Sequence, residues 1–123
     1  MAKTKKRKTG DIGEDIVYKY IINKGFSVLE RNYWRPWGEI DIVAEKEGKL
    51  RFIEVKTVSH ATNLRPEENM HKSKLLRLNR AIQTYLLEKK VGDKKDWQID
   101  LVCVRLDFET RRAKIELFEN IIL

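Results

Sequence analysis

Gly38-Glu39-Ile40-Asp41-Ile42-Val43-Ala44 and Leu50-Arg51-Phe52-Ile53-Glu54-Val55-Lys56-Thr57 read as two strands joined by a turn at Glu47-Gly48. Apolar and polar residues alternate in both with the period of two that a strand imposes. A two-residue loop at Glu47-Gly48 sets Lys46 opposite Lys49. Counting outward, Val43 falls opposite Phe52, Asp41 opposite Glu54 and Glu39 opposite Lys56, all on one face. The other face carries Ile40 with Val55 and Ile42 with Ile53, an apolar ladder that a slip of one residue would destroy. The segment thus predicts a hairpin presenting two carboxylates side by side, their Cβ atoms roughly 5 Å apart.

Two such charges repel by about 3 kcal/mol at an effective dielectric of ~20. A divalent cation resolves the conflict, because Mg²⁺ takes one or two carboxylates and keeps water for the rest of its octahedron. Lys56, two residues beyond Glu54 on the same face, would then stabilise charge developing on a phosphate. A solvated strand face is the commoner use of such residues, with Lys56 paired to Asp41 or Glu39. Asp100, between Ile99 and Leu101, reads either way.

Outward from this hairpin the period changes. From Asp11, the residues Ile12, Ile16, Val17, Tyr20 and Ile21 share a helical face, Gly25 is placed to cap it, and Glu14 lies at the border of the stripe. Phe26 to Asn32 reads as a strand, broken by Tyr33-Trp34-Arg35-Pro36-Trp37-Gly38. Ser59 to Asn69 reads as a loop. In the helix that follows, Leu75, Leu78, Ile82, Tyr85 and Leu86 face inward, Arg77, Arg80 and Thr84 face away, and Gly92 ends it. Trp97 to Leu106 is a further strand, with Ala113 to Phe118 returning beside it. The order is α-β-β-β-α-β plus one short strand, and the helical crossover makes the third and fourth strands parallel.

Composition narrows the class. The 123 residues carry 26 Lys+Arg against 19 Asp+Glu, a net charge of +7, with 41% apolar and 37% charged residues. That length suits one domain at 10–123 behind a basic tail at 1–9. No run of 18 apolar residues occurs, so no membrane span is expected. The basic start lacks the apolar stretch of a signal peptide, and cytoplasmic residence is expected. Cys103 alone supports neither an internal disulfide nor a cysteine zinc cluster, and it reads as a core residue of the fourth strand. The positive excess points to a polyanionic partner.

Several cations and aromatics surround the hairpin. Arg31-Asn32-Tyr33-Trp34-Arg35-Pro36-Trp37 would suit stacking on unpaired bases, or its tryptophans cover one end of the sheet. Arg77 and Arg80 would contact phosphates or lie on a solvated helix face. The loop with His60, Arg65, His71 and Lys72 follows the acidic strand directly, where substrate contacts are common.

An acidic residue on one strand, Glu-x-Lys on the next and a Glu on the preceding helix resemble the PD-(D/E)XK nuclease superfamily. More closely, the chain resembles the small bacterial YraN-type family of predicted endonucleases, distantly similar to archaeal Holliday junction resolvases. The likeness rests on Gly10-Asp11-Ile12-Gly13-Glu14, on Gly25 to Asn32, on Gly38 to Ala44 and on Phe52 to Thr57. It continues at Lys74, Arg77, Leu78, Ala81, Tyr85 and Leu86, and at Ile99-Asp100-Leu101-Val102. Ile40 replaces the superfamily's proline, and Gln98 and Ile99 stand where the family usually carries Arg and Phe. The resemblance implies an α/β, restriction-endonuclease-like αβββαβ core, a mixed sheet flanked by helices.

It further implies a DNA endonuclease using Mg²⁺, with Mn²⁺ as substitute, on structured or branched substrates. Glu14, Asp41 and Glu54 would be the metal ligands, and Asp41, Glu54 and Lys56 the catalytic set. Arg35, Trp37, Lys72, Lys74 and Arg77 are the expected nucleic-acid contacts. A symmetric dimer would suit paired cuts across two strands. The competing expectation is a non-catalytic DNA- or RNA-binding protein that keeps the fold, and a partner-binding scaffold ranks last because it leaves the basic excess unexplained.

Overall fold

Val17 and Ile21 of the first helix and Leu78, Ala81, Ile82 and Tyr85 of the second bury against opposite faces of one sheet. The computed structural model describes residues 5–59 and 72–121; His60, Arg65 and His71 of the anticipated loop lie outside the described residues. The order is α1 (Lys5–Asn23), β1 (Ser27–Arg35), β2 (Gly38–Lys46), β3 (Lys49–Val58), α2 (Lys72–Glu88), β4 (Trp97–Asp107) and β5 (Arg112–Phe118). Helix α1 starts at Lys5, so the backbone of residues 5–9 continues the helix instead of trailing as a tail.

The strands lie in the order β1-β2-β3-β4-β5. All neighbours are antiparallel except β3 and β4, which are parallel and joined through α2, as a helical crossover requires. Glu47 (φ +55°) and Gly48 (φ +74°) form the tight turn between β2 and β3, which pairs Lys46 with Lys49. Two left-handed residues match the twist of the strands, so the pattern-derived register follows, with Val43 opposite Phe52 and Ile42 opposite Ile53.

Alternation then divides the core. Val43 and Phe52 pack under α2, whereas Ile42, Ala44 and Ile53 pack under α1. Phe52 is fully buried and meets Tyr85 and Trp97 edge-on at 5.6 Å. Burying such a ring contributes roughly 2–3 kcal/mol. Helix α1 stops as expected: the Phe26 N–H reaches the Ile21 carbonyl at 3.0 Å around Gly25. Helix α2 stops earlier than Gly92. Lys90 takes the left-handed position (φ +54°), and the Val91 N–H closes on the Leu86 carbonyl at 2.9 Å.

Three further expectations change. Strand β1 does not break at Tyr33 but runs to Arg35, and only Pro36 and Trp37 form the turn into Gly38. Tyr33 is needed in the core, where it meets Tyr85 edge-on. Ile40 lies in the α2 cluster with Val43, not with Ile42 and Val55. The cause is local twist. Asn32 sits in the left-handed region (φ +54°) between Arg31, which pairs with Ile42, and Tyr33, which pairs with Ile40. Both strands change face there, and Asn tolerates that backbone better than most residues. Finally, the β2–β3 ladder ends at Ile42 and Ile53, so Asp41 and Glu54 lie one step beyond paired strands.

Candidate active site

Asp41 stands where β2 changes face and leaves β3. Its Oδ2 accepts the Val55 N–H at 2.8 Å, so a side chain replaces the main chain across the widening gap. Burial, foremost, and then the charge of Glu54 hold the Asp41 carboxyl well above the usual range; the Val55 N–H opposes them. Glu14 and Glu39 add smaller pushes in the same direction. The two acids expected to adjoin therefore do so electrostatically, although they are not ladder partners.

Glu54 is buried in β3, and its Oε1 lies 2.7 Å from Lys74 Nζ on the first turns of α2. Lys74, expected as a nucleic-acid contact, thus neutralises an expected metal ligand. Glu14 approaches from α1. Burial raises its pKa, while Arg31 works against that rise. Its Oε1 lies 3.5 Å from Arg31 Nη2, an ion-pair distance, and accepts no hydrogen bond among the described residues. Arg31 is itself held by Asp15 at 2.8 Å and lies over the Tyr18 ring.

Lys56 is half-buried two residues beyond Glu54, level with Cys103 of β4. Among the described residues it forms no ion pair, so the cross-strand pairing with Glu39 or Asp41 does not account for it. Cys103 is a core residue, 2% exposed.

Two glycines draw the helices in. A Cβ on Gly13 would come within 1.9 Å of Thr57 Oγ1, and one on Gly38 within 2.2 Å of the Arg77 carbonyl oxygen. Only a hydrogen fits in either place. Gly13 therefore sets Glu14 against β3, and Gly38 sets the start of β2 against the turn of α2 that carries Arg77.

A cleft of about 230 Å³ opens at this junction, reaching from the β1–β2 turn to Glu54 and α2. Trp37, Lys74 and Arg77 line it, and Lys72 is exposed on the same helix. Trp37 Nε1 donates to Thr84 Oγ1 at 2.9 Å, so Thr84 faces the hairpin and not open solvent. Arg35 also lines the cleft, but its guanidinium is committed to Glu88. Its Nε donates to Glu88 Oε1 at 2.9 Å, its Nη2 pairs with Glu88 Oε2, and its guanidinium lies 4.3 Å from the Tyr33 ring centroid.

Asp100 belongs to a different, structural group. It is fully buried and accepts from Gln98 Nε2 (2.7 Å), the Asn120 N–H (2.9 Å) and Arg51 Nη1 (3.4 Å), tying the chain after β5 to the centre of the sheet. The engagement of Lys74 and Arg31 was not legible in residue spacing, since each comes from a different element than its carboxylate. The sequence left Asp100 open between a solvated face and a site, and the structure buries it in a polar network.

Whether these residues suit a divalent cation follows from their donors. At the strand gap the charge of Glu54 adds to burial in raising the proton affinity of Asp41, and a third carboxylate, on α1, has an oxygen that accepts no hydrogen bond among the described residues. Among the described residues no three acidic, His or Cys side chains close into a ready-made cage. Glu14 thus does not close with Asp41 and Glu54 into the expected three-ligand group, and Asp41 and Glu54 alone offer the one or two carboxylates that Mg²⁺ takes with water.

Element order, the parallel β3–β4 crossover and the helices on both faces place the molecule in the α/β class with a restriction-endonuclease-like core. Among the described residues no helix is long and apolar enough to cross a membrane. The chain belongs to the Uncharacterised protein family UPF0102, the YraN family, whose model matches residues 13–104. It is 34% identical over 114 residues to a UPF0102 protein of Alkaliphilus oremlandii, covering 93% of this chain and 97% of that one. It is 38% identical over 115 residues to one of Moorella thermoacetica, covering 94% and 95%. A Campylobacter jejuni relative is 38% identical over 112 residues, 91% of each chain.

Proposed function

We propose that this protein is a metal-dependent nuclease that hydrolyses phosphodiester bonds in DNA. The carrying observation is Asp41, a carboxylate held by one main-chain N–H beside a second buried carboxylate, Glu54. Adjacent buried anions are costly to a fold unless a cation joins them. Asp41 and Glu54 would hold Mg²⁺ or Mn²⁺, with Glu14 facing it from α1. When bound, such an ion lowers the pKa of water and polarises a phosphoryl oxygen. The chain's own residues do the rest. The Val55 N–H orients Asp41, Lys56 supplies positive charge to the phosphate as its oxygens gain negative charge, and Arg77 holds the strand beside α2. The net charge of +7 supports a polyanionic substrate.

One observation favours a second reading, a non-catalytic nucleic-acid-binding protein that retains the fold. Lys74 already neutralises Glu54 without any metal. Cleavage separates the two. Plasmid, single-stranded and branched DNA are offered with Mg²⁺, Mn²⁺ or EDTA. A nuclease cuts with either metal and not with EDTA, and Lys56→Ala lowers the rate about 10²–10³-fold, the usual loss for one donor to developing charge. Absence of cutting on every substrate, or an unaffected Lys56→Ala, leaves the binding reading.

A further inference from the structure

The cleft beside Glu54 has a divided charge. Its helix wall carries Lys74 and Arg77; its hairpin wall carries Trp34, Trp37, the carboxylate of Glu39 and Arg35, whose guanidinium is already paired with Glu88. Trp34 is 61% exposed and Trp37 43%, and Glu39 is the cross-strand partner of Trp34. Large indoles exposed together are unusual on a protein that has a core available to bury them. Trp37 is not loose, since its N–H is committed to Thr84.

With Arg35 neutralised by Glu88, the charge left on the hairpin wall is that of Glu39, which repels a phosphate, while Arg77 attracts it to the helix wall. A nucleic-acid strand in the cleft therefore has its backbone toward α2 and its uncharged, flat part toward the indoles. A base in a duplex cannot present its face in this way, because it is stacked and paired. The cleft, at about 230 Å³, falls below the ~300–1,000 Å³ of pockets for drug-sized ligands, a size suited to one flat heterocycle.

We infer that Trp34, with Trp37 beside it, is a stacking platform for one unpaired nucleobase of DNA, and that the substrate carries an unpaired nucleotide next to the phosphate at Glu54. This rests on the nuclease reading for the position of that phosphate, but the platform itself is read by binding alone.

The test is fluorescence anisotropy of labelled oligonucleotides in EDTA, where nothing is cut. The probes are a single strand, a blunt duplex of the same sequence and a duplex with a single-stranded flap. Wild type is expected to bind the single strand and the flap more tightly than the blunt duplex. Trp34→Ala should weaken the first two on the order of tenfold to a hundredfold and change the duplex within about twofold, and Trp34→Tyr should restore most of the loss. Arg77→Ala should weaken all three probes together. Equal binding of the three probes by wild type, or equal losses on all three in Trp34→Ala, overturns the platform. Cleavage with Mg²⁺ and its dependence on Lys56 are scored separately. A functioning nuclease indifferent to Trp34 sinks this inference alone, whereas a flap-selective protein that never cuts sinks the nuclease reading alone.

Discussion

The Asp41 carboxylate accepts the main-chain N–H of Val55 at 2.8 Å, at the step where β2 and β3 stop pairing. The bond satisfies a backbone donor and places a negative charge beside buried Glu54. Structure and chemistry oppose each other at this one contact.

Asp41→Asn keeps an oxygen acceptor for Val55 and removes the charge. In EDTA at neutral pH the variant should be more stable than wild type by about 1–2 kcal/mol, a few degrees in Tm. The pH dependence follows from the sign of the shift. The folded pKa lies above the unfolded one, so this group's contribution is whole below the unfolded value, about 3.9, and is lost as pH rises through the folded value. The advantage of the variant should thus vanish near pH ~3 and grow toward neutrality. Thermal melts across pH check it; a variant less stable than wild type at neutral pH contradicts it.

Mg²⁺ should reverse that order. A ligand bound only by the folded state adds about 2.7 kcal/mol at a hundred times its Kd, so wild-type Tm should climb with Mg²⁺ while that of Asp41→Asn stays flat. Equal climbs in both proteins would place the ion elsewhere.

Lys74 sits where it competes with an ion for Glu54. Replacing it by Met leaves a buried carboxylate without its cation, and the metal-free protein should lose about 1–2 kcal/mol, less than a fully buried pair because Lys74 is partly exposed. The same variant should bind Mg²⁺ more tightly by calorimetry. A weaker affinity would mean that Lys74 assists the ion instead of standing in for it.

The two helix-docking glycines should differ in how they are rescued. Gly13→Ala drives a methyl into the Thr57 side chain and should cost roughly 1–3 kcal/mol, and Thr57→Ala should recover part of it. Gly38→Ala meets the Arg77 backbone oxygen, so trimming Arg77 to Ala should recover nothing. Urea unfolding of the single and double variants reads both.

Asp100→Ala should destabilise by about 3 kcal/mol or more, since it leaves Arg51, Gln98 and the Asn120 N–H without their shared acceptor. The Mg²⁺-dependent gain in Tm should survive, which separates this group from the site.

The register of the central hairpin, the tight turn at Glu47-Gly48 and the parallel crossover into β4 were all legible in residue order. Each depends on near neighbours: alternating side chains, a two-residue loop that tolerates left-handed backbone, and the handedness of a helical connection. Asp41, Glu54 and Lys56 could be picked out for the same reason, because they share that hairpin, whereas Glu14 was singled out by its place at the border of a helical stripe and by the family resemblance. What residue order did not carry was the change of face at Asn32 and Asp41, which put Ile40 under α2 and opened the strand gap. Nor did it carry the pairing of Glu54 with Lys74, of Glu14 with Arg31 or of Arg35 with Glu88. Those partners come from separate elements, and only the packing of both helices against the sheet, made close by Gly13 and Gly38, decides which charges meet.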